Sequence, residues 1–373
     1  MKKVIILGCG MVGRAMALDM SENYDVTSCD ISQERLDTLV DTNVKTKVFD
    51  FNNLTGISEL VSDFDLVISA VPGFMGFNVV KEVIISKKNI VDISFFAEDS
   101  LSLDEIAKEN GVTAVVDCGV APGMCNVLLG YHYKRMQINS YLCYVGGLPF
   151  VRDFPFQYKA PFSPIDVIEE YTRPARYVEN SVEKVVEPLS DPEFLFFEGI
   201  GTLEAFNTDG IRTLIQTVKI PNIKEKTLRY PQHIEYIKVL KEAGFFSKEE
   251  IEIDGVKISP VKLTNKLLFD KWKLNPEEAE FTVMRVFIEG NENNRITKYI
   301  YDLFDIYDVN TQTSSMARTT GYTATAVADL ILKGEFNQKG IIPPEYLGFD
   351  ENTFSSILDY LELRNINYEV NKI

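Results

Sequence analysis

The chain has 373 residues and a formal net charge of −17 at pH 7, with 45% hydrophobic and 25% charged residues. This length predicts two domains with ample core, and the composition is typical of a globular protein. The negative charge argues against nucleic acid or an anionic membrane surface as a partner, and no apolar run reaches the roughly 18 residues of a membrane span.

Cysteine and histidine usage bears on redox compartment and metal binding. The chain has five cysteines, an odd number without the spacing of a disulfide framework, and only two histidines. It contains no paired CxxC motif and no HExxH motif, so we expect reduced thiols and no metal site. The apolar stretch within Met1–Leu7 is too short for a signal peptide, and we therefore expect a cytoplasmic protein.

The most informative stretch is KVIILGCGMVGR at Lys3–Arg14. A short apolar strand runs into three glycines spaced as in a dinucleotide-binding fingerprint, and a helical pattern follows. The first glycine permits the turn, the second lets backbone approach a pyrophosphate, and the third lets helix and strand pack closely. The alternative is a glycine-rich turn in another kind of α/β protein. The predicted cofactor-binding residues here are Gly8, Gly10, Met11, Val12 and Gly13.

A second apolar strand, Asp25–Cys29, ends at Asp30. An acid about 20 residues after the first glycines is the residue that binds the ribose 2′-hydroxyl in this motif. Its carboxylate accepts hydrogen bonds from a hydroxyl and repels a 2′-phosphate. No arginine follows directly, and Arg35 lies further on, so the sequence favours NAD over NADP.

Strand and helix patterns alternate from the first strand to Val116, and this alternation predicts a doubly wound parallel sheet. The predicted strands are Lys3–Leu7, Asp25–Cys29, Lys45–Val48, Asp65–Ser69, Asn89–Ile93 and Thr113–Val116. Ligands bind at the carboxyl ends of such strands. Three further stretches there are candidate cofactor contacts, although each also suits an ordinary turn. They comprise Asp50, then Ser69, Ala70, Val71 and Pro72, and finally Gly119, Val120 and Ala121.

The middle of the chain has a different pattern. After a helix at Asn126–Met136 come short strands, including Thr213–Lys219, a proline-containing loop at Pro149–Pro164, and long alternating runs at Phe281–Glu289 and Arg295–Tyr307. These features predict an α+β domain on an open, largely antiparallel sheet. An open sheet edge needs cover, and we expect a homodimer or higher homo-oligomer to supply it, the alternative being cover by the chain itself.

A clear helix at Thr319–Lys333 carries a stripe of small apolar residues suited to packing on a sheet. We expect the chain to return there to the first domain. The predicted fold is thus α/β, with an N-terminal Rossmann-type doubly wound parallel sheet and an inserted α+β domain. The dinucleotide-binding domain comprises residues 1–125 and 317–373, and the inserted substrate and dimerisation domain comprises residues 126–316. The tail after residue 350 has no functional interpretation.

Several segments together resemble the saccharopine dehydrogenase family, in particular its lysine 6-dehydrogenase-like branch. The resemblance spans nearly the whole chain in order. The segments are ILGCGMVGRAMA at Ile6–Ala17, DISFF at Asp92–Phe96, DCGVAPGMCN at Asp117–Asn126, YVGGLP at Tyr144–Pro149, YKAPFSPIDVIEEYTRPAR at Tyr158–Arg176, TLRYPQH at Thr227–His233 and ARTTGY at Ala317–Tyr322.

Two departures from the family pattern bear on the branch. Saccharopine reductases typically carry a DPG segment where this chain has Ala121-Pro122-Gly123, and they often prefer NADP and lack an acid like Asp30. Both departures favour the lysine 6-dehydrogenase-like branch.

The resemblance implies reversible hydride transfer at a C–N bond of a small amino-acid substrate, with NAD as cofactor. For lysine, the ε-carbon gives a hydride to NAD, an imine forms, and water releases ammonia and the 6-semialdehyde. Saccharopine or a related carboxyalkyl-amine remains an alternative substrate. A non-catalytic NAD-binding protein is the alternative from another class.

This chemistry needs a cation for the α-carboxylate and a base for the amine. Candidate cations are Arg173, Arg212, Arg229 and Arg318. A surface or structural ion pair is the alternative for Arg212 and Arg229, and bracing of the two domains is the alternative for Arg173. Candidates for proton transfer are His233, Tyr171 and Asp92, because histidine titrates near neutrality and Asp92 ends a strand at the ligand edge. A helix cap is the alternative for His233, and backbone bracing the alternative for Asp92. His132, on an apolar helix face, is interpreted as structural.

Overall fold

The computed structural model describes residues 1–161, 164–275 and 277–373. Two positions of the predicted loop Pro149–Pro164, Phe162 and Ser163, lie outside the described residues. In the N-terminal part, strands and helices alternate as β1 (Lys3–Leu7), α1 (Met11–Ser21), β2 (Asp25–Asp30), α2 (Gln33–Asp37), β3 (Lys45–Val48), α3 (Ile57–Val61), β4 (Leu66–Ser69), α4 (Gly73–Ile85), β5 (Asn89–Asp92), α5 (Asp104–Glu109) and β6 (Thr113–Val115).

The middle of the chain supplies most of a second sheet. Its elements are α6 (Met124–Tyr133), β7 (Gln137–Pro149), α7 (Pro164–Thr172), β8 (Ala175–Glu179), β9 (Val182–Val186), β10 (Glu193–Phe197), β11 (Gly201–Asn207), α8 (Leu214–Thr217), β12 (Asn222–Arg229), α9 (His233–Glu242), β13 (Ile251–Ile253), β14 (Val256–Ile258), α10 (Pro260–Trp272), β15 (Glu280–Glu292) and β16 (Arg295–Ile306). The chain ends with α11 (Ser315–Lys333), β17 (Gly340–Ile342), α12 (Pro344–Leu347), α13 (Glu351–Glu362) and β18 (Tyr368–Lys372).

The first sheet is parallel, with strand order β17-β6-β5-β4-β1-β2-β3. Its central strands β1 and β4 are buried along almost their whole length, as expected when helices cover both faces. The predicted doubly wound parallel sheet is therefore confirmed. The pairing of β17 with β6 also brings the chain back to this sheet after the second one.

The second sheet is mostly antiparallel, in the order β10-β11-β12-β7-β15-β16-β18, with β8 and β9 branching from β12. The long hairpin of β15 and β16 matches the prediction, and β12 runs parallel to β7. The last strand departs from the predicted domain division, because β18 pairs with β16 and extends the second sheet.

One predicted strand is wrong. Thr213–Lys219 contains the short helix α8, and Leu214 packs in the core. A short apolar run with branched side chains fits a buried helical turn as well as a strand, so periodicity alone misassigned it.

The two sheets share one hydrophobic core. A single buried cluster contains Ile6 of β1, Leu128 of α6, Ala324 of α11 and Met284 of β15. Helices α6 and α11 therefore hold the second sheet against the first, and the carboxyl ends of the parallel strands open towards the second sheet. No helix among the described residues combines the length and apolar character needed to cross a bilayer.

Candidate active site

The glycine turn after β1 has the geometry of a dinucleotide cradle. Gly8 has a φ of +103°, and a Cβ added there would lie 2.6 Å from the carbonyl oxygen of Ala70, while a Cβ on Gly13 would collide with the Gly8 carbonyl. Nothing lies within 4 Å of the position of a Cβ on Gly10, so backbone is approachable there. Helix α1 starts at Met11 without a side-chain cap or a first-turn acid, which leaves the first amides, including that of Val12, available to a phosphate.

Asp30 ends β2 beside this turn and is 4% exposed. Its carboxylate accepts hydrogen bonds of 2.8 Å from the backbone amides of Cys9 and Ser32. The guanidinium of Arg35, largely exposed, lies 3.5 Å from the same carboxylate. The acid therefore lies where a ribose hydroxyl is expected, but a cation lies next to it, which the sequence spacing did not indicate.

The predicted loop after β4 adjoins the glycine turn. The amide of Ala70 donates to the carbonyl of Leu7 at 2.8 Å, and Val71 is buried. Ser69 is buried with its hydroxyl beside the carboxylate of Asp92, and Pro72 immediately precedes α4. This loop therefore borders the nucleotide cradle.

Asp50 lies apart, beyond the edge strand β3. It is exposed, and its carboxylate accepts from the amide and the side chain of Asn52 at 2.9 and 2.8 Å. The side chain thus caps its own turn, and its contact with an adenine stays a prediction.

The loop after β6 is closely packed against the start of α6. The amide of Gly119 donates to the carbonyl of Pro122 at 3.1 Å, and Val120 is buried while Ala121 is partly exposed. The side chain of Asn126 accepts from the amide of Gly123 and donates to Glu345 at 3.1 Å. A rigid loop at this edge of the sheet fits the predicted role beside a nicotinamide.

Asp92 braces the loop that follows β5. It is fully buried, and its carboxylate accepts hydrogen bonds from the hydroxyl and the amide of Ser94. Burial raises the pKa of Asp92 to about 7, although the bonds from Ser94 act in the opposite direction. Of the two interpretations of Asp92, the structure supports bracing of backbone rather than a direct contact with substrate.

Arg229, Tyr171 and His233 lie together, but inside the second domain. Arg229 is 2% exposed, with one Nη 2.7 Å from Glu170 and Nε 3.1 Å from the hydroxyl of Tyr171. Its remaining donors face the carbonyl of Leu228 and the hydroxyl of Tyr158. The donors of Arg229 are therefore occupied in this conformation, which favours the alternative of a structural ion pair, and its role in holding a substrate carboxylate stays a prediction.

His233 is equally enclosed. Its Nδ1 donates to the carbonyl of Phe156 at 2.8 Å, which leaves Nε2 as the acceptor of the hydroxyl of Tyr171 at 2.9 Å. Burial, and then the charge of Arg229, lower the pKa of His233 to about 3. Burial raises the pKa of Tyr171 to about 12. Both residues are engaged in hydrogen bonds inside the second domain, and their predicted catalytic roles stay predictions.

Two predicted cations do meet at the mouth of the site. The guanidinium groups of Arg173 and Arg212 each lie 4.7 Å from the ring centre of Phe95, in the loop after β5. Arg212 is paired with Asp117 at 3.1 Å. Arg173 lies 3.7 Å from Glu169, and its Nη1 is buried without a hydrogen-bond partner among the described residues. Burial and the neighbouring Arg212 lower the pKa of Arg173.

Arg318, the remaining candidate cation, and His132 both have partners within the fold. Arg318 binds Asp305 at 3.1 Å, and His132, which was interpreted as structural, pairs with the hydroxyl of Tyr301 at 2.7 Å.

Sequence reasoning missed Glu225. This residue lies on β12, between the buried residues Ile223 and Thr227 of one strand face, and is 5% exposed. A glutamate two residues from Ile223 and two from Thr227, at the spacing of one strand face, is the signal that could have indicated it, but β12 was not predicted. Among the described residues, none donates a hydrogen bond to the carboxylate of Glu225 or forms an ion pair with it.

Glu225 also belongs to the one group of potential metal ligands found among the described residues. Its carboxylate and the thiols of Cys125 and Cys143 lie within 4.8 Å of one another. Cys125 donates to the side chain of Asn126, and burial raises the pKa of Cys143 well above its ordinary value. A protonated Cys143 thiol suits packing rather than metal binding, and the expected absence of a metal stays a prediction.

Comparison with known families covers both domains. Residues 4–115 match the family model described as the saccharopine dehydrogenase NADP binding domain, and residues 119–366 match the saccharopine dehydrogenase C-terminal domain. The chain belongs to the saccharopine dehydrogenase family. This membership confirms the resemblance inferred from the sequence motifs.

Individual members of the saccharopine dehydrogenase family are distant. The bovine mitochondrial alpha-aminoadipic semialdehyde synthase is 24% identical, over 98% of this chain and 47% of its own length. The chain thus spans about half the length of several curated relatives. Carboxyaminopropylagmatine dehydrogenase from Synechocystis is 22% identical over 94% of both chains. The apo saccharopine dehydrogenase (L-Glu forming) of Saccharomyces cerevisiae has the same fold, with a TM-score of 0.81, 19% identity and full coverage of both chains.

Proposed function

We propose that this protein is an NAD-dependent oxidoreductase acting on a C–N bond of an amino acid, with the ε-amine of L-lysine as the substrate group. The observation that carries the proposal is a contact at the sheet edge that holds the Gly8 turn. There Arg212 of the second domain pairs with Asp117 after β6 at 3.1 Å and lies 4.7 Å from the ring centre of Phe95 after β5. When bound there, the nicotinamide accepts a hydride from the carbon next to the amine. The chain's own residues bind and orient the substrate and handle its proton.

The charge balance of the cleft supports a substrate with one carboxylate. Arg229 is neutralised by Glu170 and Arg212 by Asp117, each within about 3 Å. Arg173 is the cation with a buried N–H that lacks a partner among the described residues. One such donor suits the single carboxylate of lysine, whereas saccharopine carries three carboxylates to neutralise. In this proposal Arg173 holds the substrate carboxylate and Arg212 adds positive potential beside it.

The cofactor preference rests on Asp30. Its carboxylate lies at the end of β2 beside the glycine turn, where a ribose hydroxyl can replace the backbone amides as its partner. The neighbouring Arg35 is the feature that favours a 2′-phosphate, and the matching family model is described as NADP binding. We propose NAD because the acid is buried at the ribose position, whereas the arginine is largely exposed.

A carboxyalkyl-amine dehydrogenase is the second candidate. It is favoured by the relative from Synechocystis, which matches 94% of both chains. Such a substrate also has few carboxylates and at least one amine, so the same cleft charges suit it.

The fate of the substrate nitrogen tests the proposal. The protein is incubated with NAD and L-lysine labelled with a nitrogen isotope at the ε position, and ammonia and the amino-acid product are analysed by mass spectrometry. The proposal predicts labelled ammonia and the 6-semialdehyde in equal amounts. A second incubation contains the labelled lysine, the reduced nucleotide and an aldehyde or 2-oxo acid, so that an imine can form with loss of water and accept the hydride. Labelled nitrogen retained in a secondary amine there, without release of ammonia in the first incubation, supports the carboxyalkyl-amine alternative, and loss of the α-nitrogen contradicts the assignment of the reacting group.

A further inference from the structure

The position of Glu225 on the second sheet is shaped around its carboxylate. In the parallel pairing of β12 with β7, Glu225 lies opposite Cys143, and both side chains face helix α6. A Cβ added to Gly210 would collide with the Glu225 carboxylate, so only glycine leaves room for the carboxylate there. The chain thus keeps an ionisable side chain in a tight, mostly buried position where an apolar residue would cost less free energy.

The surroundings of Glu225 contain more acids than bases. The titratable and charged groups facing it are Cys143 and Tyr141 of β7, Cys125 of α6, Glu170 of α7, Asp209 and Arg212 before α8, and Asp117 after β6. Burial, and then the charges of Glu170 and Asp209, raise the pKa of Glu225 to about 8. A cation brought to this point would lower that pKa again and gain an ion pair in a partly dry site.

Glu225 also lies close to the predicted nicotinamide position. Its carboxylate is within 4.8 Å of the thiol of Cys125. The amide of Cys125 donates to the carbonyl of Val120 at 3.1 Å, in the loop after β6. Cys125 therefore contacts both Glu225 and the loop that borders the nicotinamide in the proposed function.

We propose that Glu225 is the catalytic residue that receives the substrate's reacting ammonium group and takes its proton. This inference rests on the proposed function. An ammonium ion has no lone pair, so one N–H bond must break before a hydride can leave the neighbouring carbon. The proton passes to Glu225, giving a neutral amine and a neutral carboxyl group. Loss of the hydride to the oxidised nicotinamide then leaves an iminium ion, with the nitrogen lone pair forming the new C=N bond.

The other candidate bases are occupied. Both ring nitrogens of His233 are hydrogen-bonded inside the second domain, Asp92 is fully buried against Ser94, and Glu170 is paired with Arg229. Glu225 is the buried carboxylate of this region that lacks such a partner among the described residues.

Calorimetric titration with L-lysine tests the inference without turnover. At pH 7 a carboxyl group with a pKa near 8 is mostly protonated, so binding of an ammonium should release about one proton to the buffer. The number of protons is obtained from the binding heats in two buffers of different ionisation enthalpy. The proposal predicts this release in the natural protein and its loss in Glu225→Gln.

Glu280→Gln is the matched control. Glu280 is another buried glutamate of the second sheet, burial raises its pKa to about 8, and it accepts from the amide of Met316. This variant should retain the proton release. Unchanged release in Glu225→Gln, or its loss in Glu280→Gln alone, overturns the inference. Stoichiometric zinc that is present in the natural protein and lost from Glu225→Gln also overturns it.

Turnover gives a second, independent readout. Glu225→Gln should lower kcat at least about 10²-fold and remove the rise of kcat/KM with pH near 8, and Glu225→Asp should restore part of both.

If lysine neither binds nor turns over, the proposed substrate fails, and the same titration with 1,5-diaminopentane and with a carboxyalkyl-amine then tests Glu225 separately. Proton release that depends on Glu225 with any of these amines supports the residue's role, and its absence with all of them contradicts it.

Discussion

The guanidinium of Arg229 lies 2.7 Å from the carboxylate of Glu170, and both belong to the interior of the second domain. Removing one partner of a buried ion pair leaves an uncompensated charge, which costs about 3–5 kcal/mol. We therefore expect Arg229→Ala and Glu170→Gln each to lower the free energy of unfolding by an amount in this range, measured by urea denaturation. The double variant should lose less than the sum. A variant with unchanged stability but a greatly raised KM for the amino acid would restore Arg229 to the substrate site.

Arg173 should control the affinity for the substrate carboxylate. We expect Arg173→Ala to raise the KM for L-lysine at least about tenfold, corresponding to a lost charged hydrogen bond, while the KM for NAD stays the same. A diamine of the same chain length, 1,5-diaminopentane, lacks the carboxylate and serves as the control substrate. Its kcat/KM should be the same with both forms of the protein. An equal loss for lysine and the diamine would assign Arg173 a structural role.

The nucleotide preference should depend on Asp30 and Arg35, whose charged groups lie 3.5 Å apart. Asp30→Ala removes the predicted acceptor of the ribose hydroxyl and leaves the arginine, so the Kd for NAD should rise about tenfold while that for NADP falls. Arg35→Ala is the paired variant, and it should leave NAD binding intact. Fluorescence titration with both reduced nucleotides measures these constants. NAD affinity that is unaffected by Asp30→Ala would remove Asp30 from the site.

The raised pKa of Asp92 predicts how the free energy of unfolding changes with pH. Its folded pKa of about 7 lies above the ordinary value of 3.8, so between these values the folded state keeps a proton that the unfolded state releases. Its contribution to stability is therefore lost as pH rises from about 4 to 7, by at most about 1.4 kcal/mol per pH unit. Asp92→Asn should be less damaging at pH 8 than at pH 4 in thermal unfolding, and the opposite trend would contradict the assignment.

Asp65 gives the matched control with the reverse sign. The backbone hydrogen bond from Lys3 lowers the pKa of this carboxylate, so its contribution is present above the ordinary pKa and lost as pH falls below it. Asp65→Asn should therefore be more damaging at pH 7 than at pH 3.

The outer edge of the second sheet should mediate self-association. Phe194 and Phe196 on the terminal strand β10 are 66% and 70% exposed, and exposed apolar side chains on an open strand edge favour pairing with a second copy. We expect sedimentation to show a dimer, and the double change Phe194→Glu and Phe196→Glu to give a folded monomer. The same change at Val239, exposed on helix α9, is the control. A monomeric natural protein would contradict the expectation.

The first domain could be predicted from the sequence because its signals are local. The glycine turn, the acid at Asp30 and the alternation up to β6 specify a doubly wound parallel sheet and its cofactor edge without knowledge of distant contacts. The second domain depended on non-local pairing. The strands β11 and β12 lack strict alternation, and the partner strand of β18 is separated from it by more than sixty residues along the chain.

The candidate site shows the same division. Gly8 and Gly10 followed from spacing, whereas the roles of Arg229 and His233 depended on tertiary partners that motifs do not reveal. Glu225 could not be found because an acid in a strand of mixed composition looks like a solvent-exposed residue until the opposite elements are in place.

Initial rates of reduced nicotinamide formation test the central claim most directly. The purified chain is assayed with L-lysine and with saccharopine, each with NAD and with NADP. The buried Arg173 donor that lacks a partner among the described residues, together with the acid at Asp30, predicts the highest kcat/KM for lysine with NAD. Rapid turnover of saccharopine with NADP, and none of lysine with either nucleotide, would contradict both the substrate and the cofactor assignment.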